Sequence, residues 1–353
     1  MAFRRSLVGL SSVTIKQVAE EAQVSPATVS RAFSHPHLLN HKTIEHVRAV
    51  AERTGYVPNH TARALSTGRT GTIALIVPDI TNPFFAALMR GAQARARDRG
   101  YATLLGDSDE TPELEDLLLS KLAAQVEGFV LVSSRLAKQH VQRHAQRRPL
   151  ILVNRDVPRL PRLLVETGPS YAEGVAHLAA LGHRLIAYVA GPALSWSNRQ
   201  RAQAVQKAAE RLGLRAIRIA TSRPSYEAGL ACSEEILRSG VTAALTFDDV
   251  IAQGIMAGLA SRGFSVPGDL SLIGCDGVMA MTTYPPLTSV TIQCAEAGAR
   301  ATDLLLDVLR GTVSREHCIH FPSAFVIRGT TSSPSLRLAR ADEDANSLTE
   351  MVA

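Results

Sequence analysis

From Gly71 onward, short β-branched runs alternate with longer segments of helical periodicity. In chain order, the first of these segments are TIALIVPD, FFAALMRGAQARARDRG, YATLLGD, LEDLLLSKLAAQ and VEGFVLVS. Strands separated by helices run parallel, because each helix carries the chain back to the edge where the next strand starts. The pattern predicts a doubly wound parallel sheet with helices on both faces.

The same alternation starts again after a break near Thr167. Its segments are AEGVAHLAALG, RLIAYVAG, a helix through Arg201, AAL and LSLIGCDG. We therefore predict a two-lobed α/β core over residues 71–330, with one such sheet in each lobe. The predicted limits are about 71–167 and 295–321 for one lobe, and about 168–292 and 322–330 for the other. Small ligands bind between such lobes, beside the carboxyl ends of the strands.

Ahead of this core, the stretch TIKQVAEEAQVSPATVSRAF predicts two short helices joined by a tight turn. Thr14 can cap the first helix and Ser25 the second, with Pro26 in the first turn of the second helix. The apolar residues at helical spacing face inward: Ile15, Val18, Ala19, Ala22, Val29 and Ala32. The outer face of the second helix keeps Pro26, Ala27, Thr28, Ser30 and Arg31.

A third helix, from about Lys42 to Arg53, closes a three-helix bundle in the predicted head, residues 11–58. Its inward residues are Ile44, Val47, Val50 and Ala51. The second helix suits a DNA major groove, since Arg31 can donate two hydrogen bonds to guanine and the N–H groups of its first turn can bind phosphate. On this pattern alone, a small helical bundle that binds no DNA remains the alternative.

The basic charge of the chain is concentrated in its first 70 residues. The whole chain has a net charge of +6, and residues 1–70 hold nine Lys and Arg against four Asp and Glu, which is +5 of that total. A positive head on a nearly neutral body favours a polyanionic partner such as double-stranded DNA. Basic tails also occur on proteins that bind no nucleic acid, so charge alone does not decide.

The chain resembles the lac repressor and galactose repressor family of transcriptional regulators. The resemblance rests on the stretch above, on ERTGYVPNHTARALSTGRTGTIALIVPD, and in the core on DITNPFFAALMRGAQ, LVNRD, RQRAQAV, TFDDVIAQG, IGCDG and TSVTIQ. It implies an all-α helix-turn-helix head on a core like that of the periplasmic binding proteins. It also implies that Pro26 and Ala27 occupy the two main base-reading positions, with Thr28, Ser30 and Arg31 beside them, and that Thr14 and Ser25 belong to the DNA-binding surface.

One departure from the family lies in the turn before Val24. The family usually has Gly or Asn there, where φ is positive, and this chain has Gln23. A residue with a Cβ costs about 1 kcal/mol in that conformation, so we expect a slightly strained turn.

Residues 59–70, NHTARALSTGRT, form the predicted hinge. The segment is too short for a stable helix in isolation, so we expect it to be disordered without DNA. The resemblance implies that it folds on the operator, with Leu65 wedged into a minor-groove base step. Further DNA contacts are implied for Asn59, Ala62, Arg63 and Arg69. A flexible linker with Leu65 in solvent is the alternative.

Four histidines near the second loop of the head raise a metal hypothesis. They are His35, His37, His41 and His46. Their spacing lacks the second paired motif that zinc sites have. We therefore expect neither a metal nor a cofactor.

Polar residues stand where the predicted strands of the core end: Asp79, Asn82, Asn154, Arg155, Asp248, Asp249 and Asp276. Each alone is explained as a strand-end cap. As a set they should converge, because the carboxyl ends of parallel strands meet at one edge of a sheet.

The resemblance extends to periplasmic sugar-binding proteins and implies a pentose-type cleft. One wall would consist of Asn82, Phe84 and Phe85, with Phe84 facing the sugar ring. The hydroxyls would be bound by Asn154, Arg155 and Gln293. The second lobe would close the site with Arg201, Asp248 and Asp276. Trp196 is either a residue of the cleft rim or a partly buried surface residue.

Two residues depart from the ribose-binding pattern: Asn154, where a carboxylate is usual, and Asp248, where an amide is usual. The ligand therefore need not be ribose. Because Arg155 and Arg201 balance Asp248 and Asp276, the predicted cleft is neutral, which favours an uncharged sugar or polyol. A nucleoside or purine effector is the alternative.

The predicted mechanism is linkage between effector and operator. Closure of the lobes would alter the packing of paired hinges and so the affinity for DNA, in a direction that the sequence leaves open. We expect a homodimer, because one head reads one half-site of a palindromic operator. Residues 331–353 are predicted to be a disordered tail, and they have no leucine heptads for a tetramer.

Several motifs that the sequence lacks bear on the cellular compartment and on other functions that the core could have. The four cysteines form no CxxC pair, and no apolar run is long enough for a secretion signal or a membrane span. We expect reduced core thiols and a cytoplasmic, nucleoid-associated protein. A solute-binding receptor fits the basic head poorly. An enzyme would need a motif such as GxSxG, GxxxxGK[ST] or HExxH, and the sequence has none.

Overall fold

The computed structural model describes residues 13–34, 36–56, 69–221, 223–314 and 316–335. The chain divides into two compact units, Met1–Thr70 and Gly71–Ala353. No helix within the described ranges is both long and apolar enough to cross a membrane.

The described part of the first unit is helical. Its elements are α1 (Ile15–Glu21), α2 (Pro26–Ser34), a 3₁₀ turn (Pro36–Leu38) and α3 (His41–Thr54). Thr14 Oγ1 accepts from the backbone N–H of Gln17, and Gln17 Oε1 accepts from the backbone N–H of Thr14, so a capping box begins α1. Asn40 caps α3, and Gly55 ends it in the left-handed conformation.

One valine from each helix is fully buried in the centre of the head: Val18, Val29 and Val47. The predicted inward faces are confirmed, although Ile15 and Ile44 are only half-buried at the edge of this core. Between α1 and α2, Gln23 has a φ of 54°, which confirms the positive φ predicted for this turn.

The second unit alternates strands and helices. Up to Glu166 its elements are β1 (Thr72–Val77), α4 (Pro83–Asp98), β2 (Ala102–Asp107), α5 (Pro112–Leu122), β3 (Gly128–Val132), α6 (Lys138–Arg147), β4 (Leu150–Val153) and β5 (Arg162–Glu166). From Gly168 they are α7 (Gly168–Ala180), β6 (Leu185–Ala190), α8 (Trp196–Leu212), β7 (Arg215–Ala220), α9 (Tyr226–Arg238), β8 (Ala243–Thr246), α10 (Asp249–Ala260), β9 (Ser271–Asp276), β10 (Thr288–Thr291), α11 (Cys294–Arg310), β11 (Cys318–Pro322) and β12 (Ala324–Val326).

These strands form two sheets, each with six strands among the described residues. The strand order is β11-β5-β4-β3-β1-β2 in the first lobe and β12-β10-β9-β8-β6-β7 in the second. The pairs of the first sheet are parallel, for example Leu75 opposite Val130. In the second sheet the edge pair of β10 and β12 is antiparallel, with Val290 opposite Phe325. The doubly wound parallel core is thus confirmed, with one antiparallel edge that the sequence did not indicate.

The lobes are interleaved along the chain. Within the described residues the backbone passes between them at three places: between β5 and α7, between β10 and α11, and between β11 and β12. Each passage has one or two residues, such as Thr167 and Ser323. Three such short connections allow the two lobes to rotate about a hinge and restrict other movements of one lobe against the other.

Helices α4 and α11 pack closely on the first sheet. A Cβ on Gly91 would lie 1.8 Å from the carbonyl oxygen of Ala295, and one on Gly298 would lie 2.0 Å from that of Leu88. No side chain fits at either contact, so glycine is required for this approach.

The chain remains attached to the second lobe beyond Thr331. The backbone N–H of Ser332 donates to Ser271 Oγ at 2.9 Å, and the buried His183 ring lies 2.9 Å from the carbonyl oxygen of Ser332. The described residues therefore stay ordered past the predicted start of the tail, while residues 336–353 lie outside the described ranges.

The four cysteines are free thiols. Cys232, Cys275 and Cys294 are buried, as expected for core thiols. Cys318, on edge strand β11, is only half-buried, which corrects that expectation for one of the four.

Candidate functional site

The outer face of α2 carries the residues predicted to read DNA. Pro26, Ala27, Ser30 and Arg31 are exposed. Thr28 is half-buried, and Ser25 Oγ accepts from its backbone N–H at 3.1 Å and lies 2.9 Å from its hydroxyl. Ser25 is therefore the helix cap, and the hydroxyl of Thr28 supports that cap.

Of the hinge residues predicted to contact DNA, Arg69 is exposed, and the others lie outside the described residues: Asn59, Ala62, Arg63 and Leu65. His35 also lies outside them. Within the described ranges, no group of three or more His, Cys, Asp or Glu side chains is placed to hold a metal ion.

A cavity of about 20 Å³ lies between the two lobes, at the carboxyl ends of both sheets. Seven of the ten predicted effector residues line it: Asn82, Phe84, Phe85, Asn154, Arg201, Asp248 and Asp276. A cavity of this size holds about one water molecule, whereas small-molecule pockets measure about 300–1,000 Å³. The lobes are closed on each other here, and a ligand needs them to part.

Asn82 connects the two lobes directly. Its Oδ1 accepts from the backbone N–H of Phe84 and caps α4, while its Nδ2 donates to Asp248 Oδ2 at 3.0 Å. Asp248 in turn caps α10 through Ile251 N at 2.9 Å. One hydrogen bond thus joins the N-termini of two helices that belong to different lobes.

Arg201 lies on the cleft side of the second lobe and connects three residues there. Its guanidinium donates to Thr167 Oγ1, to the carbonyl oxygen of Phe247 and to Asp276 Oδ1, the last at 3.4 Å. The same group lies 4.8 Å from the ring centroid of Phe247. Asp276 has a φ of 95°, a conformation that is strained for a residue with a Cβ and is common at binding sites.

Two buried carboxyl groups on the cleft side of the second lobe have a raised pKa. Burial, and after it the charge of Asp276, raises the pKa of Asp248 to about 7. The same causes raise the pKa of the neighbouring Asp249 to about 8. Near neutral pH, Asp248 is therefore divided between a carboxylate that only accepts and a carboxylic acid that can also donate.

Asn154 lines the cavity with a backbone φ of 53°. Its Oδ1 accepts from the backbone N–H of Val165 at 3.1 Å, so that it also ties β4 to β5. Phe84 and Phe85 meet edge to face, with ring centroids 5.1 Å apart. The first lobe therefore offers the cavity one amide and two aromatic rings that are held in place by packing.

Three predicted residues lie away from the cavity lining. Arg155 lines a separate groove and donates to the carbonyl oxygen of Leu136 at 2.7 Å. Gln293 is exposed at the start of α11, and its side chain caps no helix. Trp196 is half-buried at the start of α8, between Ser195 and Ser197 of the cavity lining, so that it stays a candidate for the cleft rim.

The cavity also has residues that sequence reasoning missed: Glu110, Ser133, Arg135, Ser195, Ser197, Pro224 and Phe247. Arg135 is buried and forms an ion pair with Glu110 at 2.6 Å. It follows β3 by three positions, so the strand-end pattern contained the signal. The cavity lining therefore differs in charge from the neutral cleft predicted above. It has two arginines and three carboxylates, and it becomes neutral when Asp248 is protonated.

Models of known families match both units of the chain. The model described as "Bacterial regulatory proteins, lacI family" matches residues 14–59, and the model of a periplasmic binding protein-like domain matches residues 175–331. Among curated proteins, the chain is similar to the HTH-type transcriptional repressor CytR of Escherichia coli. The two are 31% identical over 333 residues, which cover 91% of this chain and 97% of the relative.

Solved structures are similar to this chain as well. A lac repressor dimer bound to operator and the anti-inducer ONPF matches with a TM-score of 0.82 and 26% identity, covering 91% of this chain and all of the other. A regulator from Enterococcus faecium with bound ribose matches with a TM-score of 0.68 and 27% identity, covering 75% of this chain and all of the other.

Proposed function

The chain belongs to the LacI family of bacterial regulatory proteins, and we propose that it represses transcription from a palindromic operator under the control of a small neutral sugar or polyol. It is a sequence-specific DNA-binding regulator and not an enzyme. The observation that carries the effector proposal is the convergence of polar side chains from both lobes on one closed cleft.

The exposed face of α2 supports the DNA part of the proposal. Pro26 and Ala27 have no side-chain donors, so base choice would depend on Arg31, on contacts with thymine methyl groups and on DNA shape. The hinge, with Leu65 as a minor-groove wedge, completes the proposed interface.

The chemistry of the cleft supports a neutral polyhydroxylated effector. Arg201, Asp248 and Asp276 can exchange their present partners for hydroxyl groups, and Phe84 and Phe85 can face the C–H side of a ring. The ribose in the Enterococcus faecium regulator fits this chemistry. A nucleoside has a ribose ring as well, so nucleosides belong in the same test.

We propose that the protein acts as a homodimer in the cytoplasm, at the nucleoid. Met281 and Tyr284, in the loop after β9, are 70% and 96% exposed. Apolar side chains this exposed favour an interface with a second copy. The lac repressor, with which this chain shares its fold, is a dimer on its operator.

Operator selection followed by effector screening tests the proposal. Bound DNA is selected from a random pool with the full-length protein, and its affinity is then measured by fluorescence anisotropy with single sugars, polyols and nucleosides. We expect a palindromic sequence, and a neutral compound that changes its affinity at least about tenfold, the usual size of coupling between sites. Equal affinity for every duplex, whatever compound is added, would contradict the proposal.

The cleft variant Asp276→Asn should abolish the effect of the compound, because it removes the charge that faces Arg201. The exposed Asp98→Asn on α4 removes the same charge elsewhere and should leave the effect intact.

A further inference from the structure

A groove of about 640 Å³ lies beside the closed cleft and is shared by the two lobes. The first lobe contributes Arg135, Leu136, His140 and Arg155, and helix α8 with the loop before it contributes Leu194 and Arg199. Arg135 also lines the effector cavity, so a molecule in the cavity could extend into the groove.

Two guanidinium groups of the groove lack acidic partners. Arg155 Nη2 donates to the carbonyl oxygen of Leu136 at 2.7 Å, and Arg199 Nη1 to that of Leu194 at 3.4 Å. Arg155 Nε is buried and has no hydrogen-bond partner among the described residues. Within those residues, neither arginine has a carboxylate oxygen within 4 Å. A buried N–H donor without a partner costs free energy, which the side chain would recover by turning this N–H toward a bound acceptor.

Two acidic residues, Glu113 and Asp116, also line the groove, and a third, Glu115, is buried next to it. Asp116 lies 2.7 Å from the ring of His144 and 3.2 Å from Arg143. Glu115 accepts from Ser134 Oγ and from the backbone N–H of Arg135, and its charge acts on the pKa of Arg155 less than burial and Arg199 do, in the opposite direction. Glu113 is exposed in the first turn of α5.

The two unpaired arginines also repel each other across the lobes. Burial, and after it the charge of Arg199, lowers the pKa of Arg155. One arginine belongs to each lobe, so the repulsion arises only when the lobes are closed. An anion between the two would relieve it and would favour closure.

We propose that this groove is an anion subsite in which Arg155 and Arg199 together bind a phosphate group, either as a substituent of the effector or as free phosphate beside it. A carboxylate has two oxygens and is satisfied by one arginine, whereas a phosphate has enough oxygens for both guanidinium groups. The inference rests on the proposed function, because it concerns the same closed cleft. With free phosphate the effector remains the neutral compound proposed above, whereas with a phosphate substituent only its ring, in the cavity, is neutral and the effector is a sugar phosphate.

Calorimetric titration with inorganic phosphate tests the subsite without any knowledge of the effector. We expect the full-length protein to bind phosphate, and Arg199→Gln to weaken that binding about tenfold or more, the loss expected for one charge-assisted interaction. Arg211→Gln removes the same charge from the exposed end of α8 and should bind like the wild type. Melting curves without phosphate would show that both variants fold.

A second titration compares neutral sugars with their phosphate esters. A tighter ester, with the gain lost in Arg199→Gln and kept in Arg211→Gln, assigns the phosphate to the effector. If inorganic phosphate binds in an Arg199-dependent way but no ester binds more tightly than its neutral sugar, the subsite holds a separate phosphate ion. If phosphate and the esters bind equally to wild type and Arg199→Gln, the subsite does not exist.

That last result leaves the proposed function intact if a neutral sugar still alters operator affinity. Conversely, if no compound alters operator affinity while phosphate binds through Arg199, the effector proposal fails and the subsite stands. Arg155→Gln gives a second check, since it should lower phosphate affinity by a similar factor if both arginines hold one group.

Discussion

Asn82 donates a hydrogen bond to Asp248 across the cleft, at 3.0 Å, and each of these residues caps a helix of its own lobe. The bond forms only when the lobes are together. An effector that inserts a hydroxyl between these two side chains would replace one link between the lobes with two.

The first prediction concerns pH and Asp248. Its pKa is about 7 in the folded protein and about 3.9 in an unfolded chain. Between these values the folded state holds a proton that the unfolded state has lost, so the free energy of unfolding falls as pH rises from about 4 to about 7. Asp249, with a pKa of about 8, extends the fall. We expect the melting temperature to drop between about pH 5 and pH 8, by about 2–4 °C for each kcal/mol lost.

Asp248→Asn should make this drop smaller, because the asparagine has no proton to lose. Melting curves of both proteins across that pH range provide the measurement. The exposed Asp98→Asn serves as the control, and a drop of equal size in all three proteins would exclude Asp248 as a cause.

The second prediction concerns Arg201. Arg201→Lys keeps the charge but loses the planar group that reaches Thr167, Phe247 and Asp276 together. We expect effector affinity to fall roughly ten- to a hundredfold, since a hydrogen bond to a charged group contributes about 1.5–3 kcal/mol. Operator affinity without effector should be retained. Anisotropy titrations with and without effector measure both, and Arg211→Lys on the same helix is the control.

The third prediction concerns base reading by Arg31. Arg31→Ala should lower affinity for the selected operator by roughly ten- to a hundredfold and relax the preference for one base pair, as expected when one bidentate contact to guanine is lost. Arg48→Ala removes an equal charge from the exposed face of α3. If both variants weaken specific and non-specific binding alike, Arg31 contacts phosphate and not a base.

The fourth prediction concerns the hinge. Leu65→Ala should weaken operator binding and reduce DNA bending, because alanine is too short to enter a base step. Gel mobility of DNA fragments with permuted operator positions measures the bend. An unchanged affinity and bend angle would place Leu65 in solvent.

The fifth prediction concerns assembly. Tyr284→Asp should shift the protein from dimer to monomer in analytical ultracentrifugation and should lower operator affinity with it, because a charge at the centre of an apolar interface loses its water without gaining a partner. Leu117→Asp, on the exposed side of α5, is the control. Dimers of unchanged stability would show that the loop after β9 faces solvent.

The sequence predicted most of the strands that are buried on both faces, since they are short apolar runs bounded by helical patterns. It identified no strand at β5, β7, β10, β11 or β12. The strand β7 lies at the edge of its sheet and alternates Arg215 and Arg218 with apolar residues, so it has no continuous apolar run. No local sequence pattern indicates that β12 pairs antiparallel to β10, because this pairing depends on where the chain returns to the second lobe.

The site was predicted where a polar residue stands at the end of a central strand: Asp276 is the last residue of β9, and Asp248 lies two positions after β8. Arg155 also follows a strand, but a long side chain can turn either way, and no periodicity decides which. Arg135 was missed although it lies only three positions beyond β3, and its pairing with Glu110 makes it part of the cavity wall.

The interleaving of the lobes has a consequence for synthesis on the ribosome. Strand β11, which forms one edge of the first lobe, and helix α11 behind it are made after the whole of the second sheet except its last strand. The DNA-reading head can therefore fold early, while the sensor is completed only with the last few dozen residues. A truncated chain would contain the DNA-binding head without a complete effector-binding core, so no metabolite could regulate it.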